Sequence, residues 1–142
     1  MYELHSELLW FGNAIEIREP AGLFEVGVQA VIDVAFEEKP SLLPRQLIYC
    51  RFPIVDGGGN DEEVLRVAVR TTVDLISSGT KTIVACSAGM SRGPMIATFA
   101  LAAFNSESPK RIIQTIAEKR ALEVNGKLWN QLNAIFPCPS EQ

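Results

Sequence analysis

Thr82-Ile83-Val84-Ala85-Cys86-Ser87-Ala88-Gly89-Met90-Ser91-Arg92-Gly93-Pro94 is the stretch from which the fold of this chain can be read. Its first four residues are β-branched or small, without the alternation of a half-exposed strand. Such a run predicts a short strand, 82–85, buried on both faces as in a parallel sheet. Pro94, a good early-helix residue, opens a segment, 94–104, that is apolar nearly all round, as a central buried helix would be. Between them lies a loop of small residues that starts with a cysteine and ends with an arginine. Strand, tight loop and buried helix predict an α/β fold, with the loop at the carboxyl end of a strand, where ligands bind in such sheets.

The rest of the chain extends the same pattern. Residues 29–35 form a second buried apolar run, 46–54 a third strand, and 8–11 a short first strand ended by Gly12-Asn13. Residues 19–26 carry a weak helical pattern, and Pro40 and Pro44 punctuate the loop after 29–35. Asp56-Gly57-Gly58-Gly59-Asn60-Asp61 reads as a flexible turn. From 62 to 78, apolar residues recur at Leu65, Ala68, Val69, Val73 and Ile76, an amphipathic helix with Gly79 at its end. Two further helices are expected near 109–120 and 126–135. Without repeats, linkers or low-complexity tracts, residues 1–142 are read as one domain. Its expected architecture is a central, mainly parallel twisted sheet flanked by helices.

Composition narrows the chemistry. The chain has 142 residues, 47% hydrophobic and 21% charged, with a formal charge of −4. That acidic balance argues against nucleic acid and anionic membranes as partners, because both reward a basic face. No apolar run approaches the roughly 20 residues of a membrane-spanning helix, and the first residues lack the pattern of a secretory signal. Cytoplasmic residence and a monomer are the expectations. Three cysteines, Cys50, Cys86 and Cys138, are too scattered for a disulfide framework, and with His5 as the single histidine a zinc site is not expected. His5 lies in a terminal segment expected to be disorder-prone, so a nucleophile here has to be activated without imidazole.

Cys86-Ser87-Ala88-Gly89-Met90-Ser91-Arg92 supplies the means. Small residues let the backbone curl so that successive N–H groups form an anion nest, and the following helix adds its positive end. A thiol in that field loses its proton readily. The Arg92 guanidinium can hold two phosphoryl oxygens at once. A Cys and an Arg at this spacing arise by chance in roughly one such chain in six, and Gly89 between them lowers that to about one in a hundred. A strand before, a helix after and an acid, Asp56, in a loop at the end of a neighbouring strand lower it further. A buried structural cysteine ahead of a helix is the bland alternative.

The loop resembles the signature of the protein-tyrosine phosphatases, H-C-x-x-G-x-x-R-S/T, and most closely the dual-specificity branch, where A-G-x-S-R is frequent. The likeness spans most of the chain. Leu9-Trp10-Phe11-Gly12-Asn13-Ala14 is similar to the family's opening L-Y-I-G-N-A, and the stretch from Val26 to Ala35 to its first parallel strand. Phe52-Pro53-Ile54-Val55-Asp56 resembles the segment bearing the general acid, and Asn125-Gly126-Lys127-Leu128-Trp129-Asn130-Gln131-Leu132 the closing N-x-x-F-x-x-Q-L helix. The resemblance implies a cysteine-dependent phosphatase that needs no metal or cofactor. Cys86 would be the nucleophile, Arg92 the phosphate clamp and Asp56 the acid and then the base, with Ser87, Ala88, Gly89, Met90, Ser91 and Arg92 binding phosphate. Two departures stand out: Ala85 replaces the usual His, and Gly93 the usual Ser or Thr.

Each of these residues has a structural alternative. Asp56 can be a turn residue; as an acid, its loop would close over substrate through the glycine run. Asp61 is read as a helix cap rather than a rival acid. Asn13 and Asn125 can bond to the phosphate loop or serve as turns and caps. Cys50 is read as core rather than as a redox partner of Cys86, Met90 as a spacer, and Trp10 and Trp129 as core anchors. The expected partner is a phosphorylated protein, on tyrosine and/or serine/threonine, or a small phosphate ester. A phosphoprotein-binding module with little turnover is the alternative, because Ala85 and Gly93 remove two accessory groups. A sulfur-transfer enzyme is a distant third.

Overall fold

The computed structural model describes residues 1–138. Five strands form one sheet in the order β1-β2-β5-β3-β4. They are β1 (Tyr2–His5), β2 (Leu9–Asn13), β3 (Ala30–Ala35), β4 (Ile48–Ile54) and β5 (Thr82–Cys86). β2, β5, β3 and β4 run parallel, whereas β1 pairs antiparallel with β2 at the edge. The N-terminal segment is therefore a strand, where a disorder-prone start was expected. His5 ends it with its ring edge-on to Phe104, centroids 5.9 Å apart. β3 and β5 are buried along their whole length, which is why their sequences carry no alternation. β4 holds Pro53, and its position at the sheet edge is where a residue lacking an N–H is tolerated.

Among the described residues six helices cover the sheet: α1 (Ala14–Ile17), α2 (Pro20–Val26), α3 (Glu62–Ser77), α4 (Arg92–Asn105), α5 (Pro109–Lys119) and α6 (Gly126–Ile135). Successive strand residues point to opposite faces, so the core divides in two. Leu9, Phe11, Ile32, Val34, Val84 and Cys86 pack with residues of α3 to α6, while Trp10, Val31, Ile83 and Ala85 pack with Ile17 of α1 and Leu23 of α2. α3 shows why these sequences become helices. Asp61 caps it, its carboxylate accepting the Glu63 N–H at 2.8 Å, Glu62 and Glu63 complement the N-terminal dipole, and Leu65, Ala68, Val69 and Ile76 face the core. Truncating fully buried Leu65 to alanine would cost about 2–5 kcal/mol. No helix among the described residues is long and apolar enough to cross a membrane.

Register places the chemistry. Asn13 of β2 is level with Cys86 of β5, Asp33 of β3 with Ala85, and Ile54 of β4 with Ala35. The carboxyl ends of four parallel strands thus meet along one edge. The segments beginning at Ala14, Phe36, Val55 and Ser87 emerge there together.

Candidate active site

Cys86 ends the central strand, and α4 begins at Arg92. The intervening turn needs a glycine: Gly89 has φ +72°, and a Cβ on it would come within 3.0 Å of the Gly12 backbone. The loop is anchored from outside by its carbonyls. Ala14 N–H donates to Ser87 O at 3.2 Å, and Glu123 N–H to Met90 O at 2.9 Å. Its own N–H groups, from Ser87 to Arg92, donate to no acceptor among the described residues. Carbonyls tied outward and amides left unspent are the arrangement of an anion nest.

Arg92 is buried, and its fork is organised edge by edge. Nη1 donates to Glu37 Oε1 at 2.5 Å and to Ile54 O at 2.8 Å, while Nη2 donates to Glu37 Oε2 at 2.7 Å and to Ser87 Oγ at 3.3 Å. Glu37 therefore fills the edge between the two terminal nitrogens. Nε bonds to nothing among the described residues, and the second hydrogen of Nη2 is held only by the long bond to Ser87 Oγ, so an acceptor on the Nε–Nη2 edge would take the place of that hydroxyl. The hydrogen bond from Arg92 holds the Glu37 carboxyl down from its ordinary 4.5 to about 2, against partial burial that works the other way. Burial opposes the charge of Arg92, but the Glu37 carboxylate more than offsets it and the guanidinium lies above its ordinary range. Glu37 escaped the sequence reading. The available signal was an acidic pair, Glu37-Glu38, directly after a buried strand at its carboxyl end.

Asp56 comes to the same place. Its Oδ1 accepts from Ser91 Oγ at 2.7 Å, and Ser91 Oγ in turn accepts the Asn125 N–H at 3.1 Å. The glycine-rich turn around it is held by side-chain hydrogen bonds. Asn60 Oδ1 accepts the Val55 N–H at 2.8 Å, and its Nδ2 donates to Val55 O and Gly57 O, both at 3.0 Å. Gln131 brackets Asn60 from α6, donating to its carbonyl and accepting its N–H, and Asn125 Nδ2 donates to Asp56 O at 3.1 Å. Asn60 and Gln131 were also missed, because their partners lie on the turn itself and, for Gln131, far away in sequence.

The remaining expectations sort cleanly. Asn125 caps α6 through Lys127 N–H and Leu128 N–H and also touches the loop, so it does both of the things considered for it. Asn13 is a helix cap, in a reciprocal box with Glu16. Asp61 caps α3. Cys50 packs on the main core and is level with Ile32, itself level with Val84, which places it two strands from the Cys86 column. Trp10 is core, and Trp129 packs on Phe99 with centroids 4.9 Å apart. Ala85 lies in the apolar cluster with Trp10 and Val31, and the buried carboxylate of Asp33 beside it is taken up by Tyr49 OH at 2.6 Å and Ala35 N–H at 3.2 Å. Among the described residues no group of three or more His, Cys, Asp or Glu is placed to hold a metal ion.

Comparison with known proteins agrees with this geometry at the level of the fold. No family model matches the chain, and no curated protein sequence matches it. Solved structures do. Human DUSP28 superposes with a TM-score of 0.85 at 20% identity, over 100% of this chain and 99% of that one. A mouse putative dual specificity phosphatase, complexed with zinc tungstate, gives 0.82 at 22% identity, over 94% of this chain and 84% of that one. The human tyrosine phosphatase-like serine/threonine/tyrosine-interacting protein gives 0.81 at 17% identity, over 94% and 93%. The fold is that of the dual-specificity phosphatases.

Proposed function

We propose that this chain is a phosphomonoester hydrolase working through a phosphocysteine on Cys86. The observation that carries the reading is one cluster: a cysteine at a strand end followed by a run of unspent N–H groups, an arginine whose Nε is unspent, and an acid tied to the same loop. Cys86 Sγ attacks phosphorus as the ester P–O bond breaks, and Asp56 gives its proton to the departing oxygen. Water then attacks the phosphorus, Asp56 takes its proton, and the S–P bond breaks to return the thiolate. The backbone amides and Arg92 meet the charge on the phosphoryl oxygens throughout. Phosphorylated protein or a small phosphate ester is the substrate on this reading.

The test is turnover of an aryl phosphate. Wild type should hydrolyse it in the presence of a chelator, and Cys86→Ser should be inactive yet still bind phosphate or vanadate. Full activity in Cys86→Ser, or loss of wild-type activity with the chelator, refutes the cysteine mechanism. A second reading has its own observation: position 85 offers only a buried methyl and position 93 no hydroxyl. It makes the loop a phosphoprotein-binding module, and binding by wild type without any turnover would select it.

A further inference from the structure

Glu37 holds both terminal nitrogens of Arg92, yet packing does little to place it: 54% of its side chain is exposed, on a turn that follows β3. Its position depends on the backbone of 36–41, and that backbone is tied to one buried group. Asp33 of β3 is 2% exposed. Its Oδ1 accepts the Ala35 N–H at 3.2 Å, where the β3–β4 register shifts, and its Oδ2 accepts Tyr49 OH at 2.6 Å. The Tyr49 oxygen in turn accepts the Ser41 N–H at 3.0 Å. Arg51, level with Asp33 on β4, brings Nε to 4.0 Å from Asp33 Oδ2 and donates from Nη2 to Glu38 O at 2.6 Å. The turn is thus caught just before it begins, one residue after Glu37, and at its far end.

A carboxylate is a costly choice for this place. Val31, Ile32, Val34 and Ala35 around it on the strand are apolar and buried, and an apolar residue at 33 would avoid desolvating a charge. What the carboxylate supplies is an acceptor that takes donors from two elements at once. Burial, and then the Asp33 carboxylate beside it, push the Tyr49 phenol above its ordinary range, so Tyr49 stays a donor. Asp33 is level with Ala85 on β5, but none of its hydrogen bonds among the described residues goes to the phosphate loop. They go to the turn. Phe36, the first residue of that turn, donates its N–H to Ile54 O at 3.2 Å, the same carbonyl that receives Arg92 Nη1.

We infer that Asp33, with Tyr49 and Arg51, is a positioning residue for the phosphate clamp: it fixes the turn that delivers Glu37 to Arg92, and through Glu37 the angle at which the guanidinium meets phosphoryl oxygens. The inference rests on the preceding section's reading of Arg92 as that clamp. A two-point carboxylate–guanidinium pair depends on geometry as well as charge, so a turn that drifts loses it even though both side chains remain. Misplacing a group that orients the reacting centre lowers the rate from a distance. Asp33 and Tyr49 touch no substrate on this view, and their whole effect passes through Glu37.

A double-mutant cycle tests this, read both as turnover of p-nitrophenyl phosphate and as vanadate binding in Cys86→Ser protein. Tyr49→Phe and Asp33→Ala should each lower kcat/KM and vanadate affinity by roughly three- to fivefold. In Glu37→Ala protein, where the positioned group is already gone, Tyr49→Phe should cost less than about twofold more. Asp33→Asn should restore most of what Asp33→Ala loses, since its oxygen still accepts the Ala35 N–H and its amide can donate to Tyr49. If Asp33→Ala does not fold, the Tyr49→Phe cycle decides by itself. The same fold-loss from Tyr49→Phe with and without Glu37 overturns the inference. So does a lowered melting temperature with turnover and vanadate binding unchanged, or an Asp33→Asn as impaired as Asp33→Ala. Absence of wild-type turnover would overturn the hydrolase reading instead, and the vanadate cycle would still decide the role of Asp33.

Discussion

Gly93 is the position where a single substitution reads the second chemical step. It is buried in the first turn of α4, and a Cβ there would lie 3.4 Å from Cys86 Sγ, 3.5 Å from Cys86 N and 3.2 Å from Val84 O. Its φ is not among the positive values, so serine requires no change of backbone region. From a Cβ at that distance a hydroxyl reaches the sulfur within hydrogen-bonding range. When the thiolate leaves phosphorus, a donor to that charge is worth about 1.5–3 kcal/mol. The Val84 carbonyl has to give by a few tenths of an ångström, an overpacking cost of about 1 kcal/mol that lowers stability and cancels from the barrier. The lower figure, about 1.5 kcal/mol off the barrier, predicts that Gly93→Ser hydrolyses its phosphoenzyme roughly tenfold faster. Stopped-flow with an aryl phosphate should show a wild-type burst of phenol followed by a slow steady rate. Gly93→Ser should raise the steady rate and leave the burst rate nearly unchanged. Gly93→Ala, with the bulk but no donor, should not raise it. Absence of a wild-type burst, or equal acceleration by alanine and serine, would refute the reasoning.

Asp56→Asn should slow esters with poor leaving groups by roughly 10²–10⁴ and good ones far less in the first step. If Asp61→Asn shows that leaving-group dependence instead, the acid has been misassigned. Glu37→Gln leaves Arg92 without its anionic partner. With Glu37 half exposed, the bidentate bond is discounted to about 1 kcal/mol, so kcat/KM should fall about fivefold, whereas a rise would mean that Glu37 competes with phosphate. Because the Glu37 carboxyl is depressed from 4.5 to about 2, the pair is complete above pH 4.5 and fades only as pH falls toward 2. The shape of the pH–rate profile above pH 4.5 should therefore be the same in Glu37→Gln as in wild type. Asn60→Ala removes three hydrogen bonds from the acid turn. It should cost about 1–2 kcal/mol in urea unfolding and slow poor leaving groups more than good ones; equal losses for both would show that the turn does not position Asp56.

Much of this protein was legible in its sequence because the relevant signals are local. A buried strand running into a small-residue loop and an apolar helix is written in consecutive residues, and the structure places β5, the loop and α4 there. Asp61, Gly79 and Pro94 act at helix ends through their own backbone neighbours, so the spans of α3 to α6 were readable to within a residue or two. Cys86 and Arg92 stand out because the loop between them is a contiguous run of mostly small residues. The edge strand β1 was not legible: a four-residue segment with no clear alternation becomes a strand only when β2 offers it an antiparallel edge. Nor was Glu37, which takes its role from an arginine 55 positions away that the β3–β5 register delivers to it. The fastened acid turn had the same cause. Its composition says flexible, but Asn60, Gln131 and Asn125 hold it through contacts that exist only once α6 has packed against α3. Sequence determines what a residue can donate, accept or bury, whereas its partner at long range is decided by the topology that brings separate strand ends to one edge of the sheet.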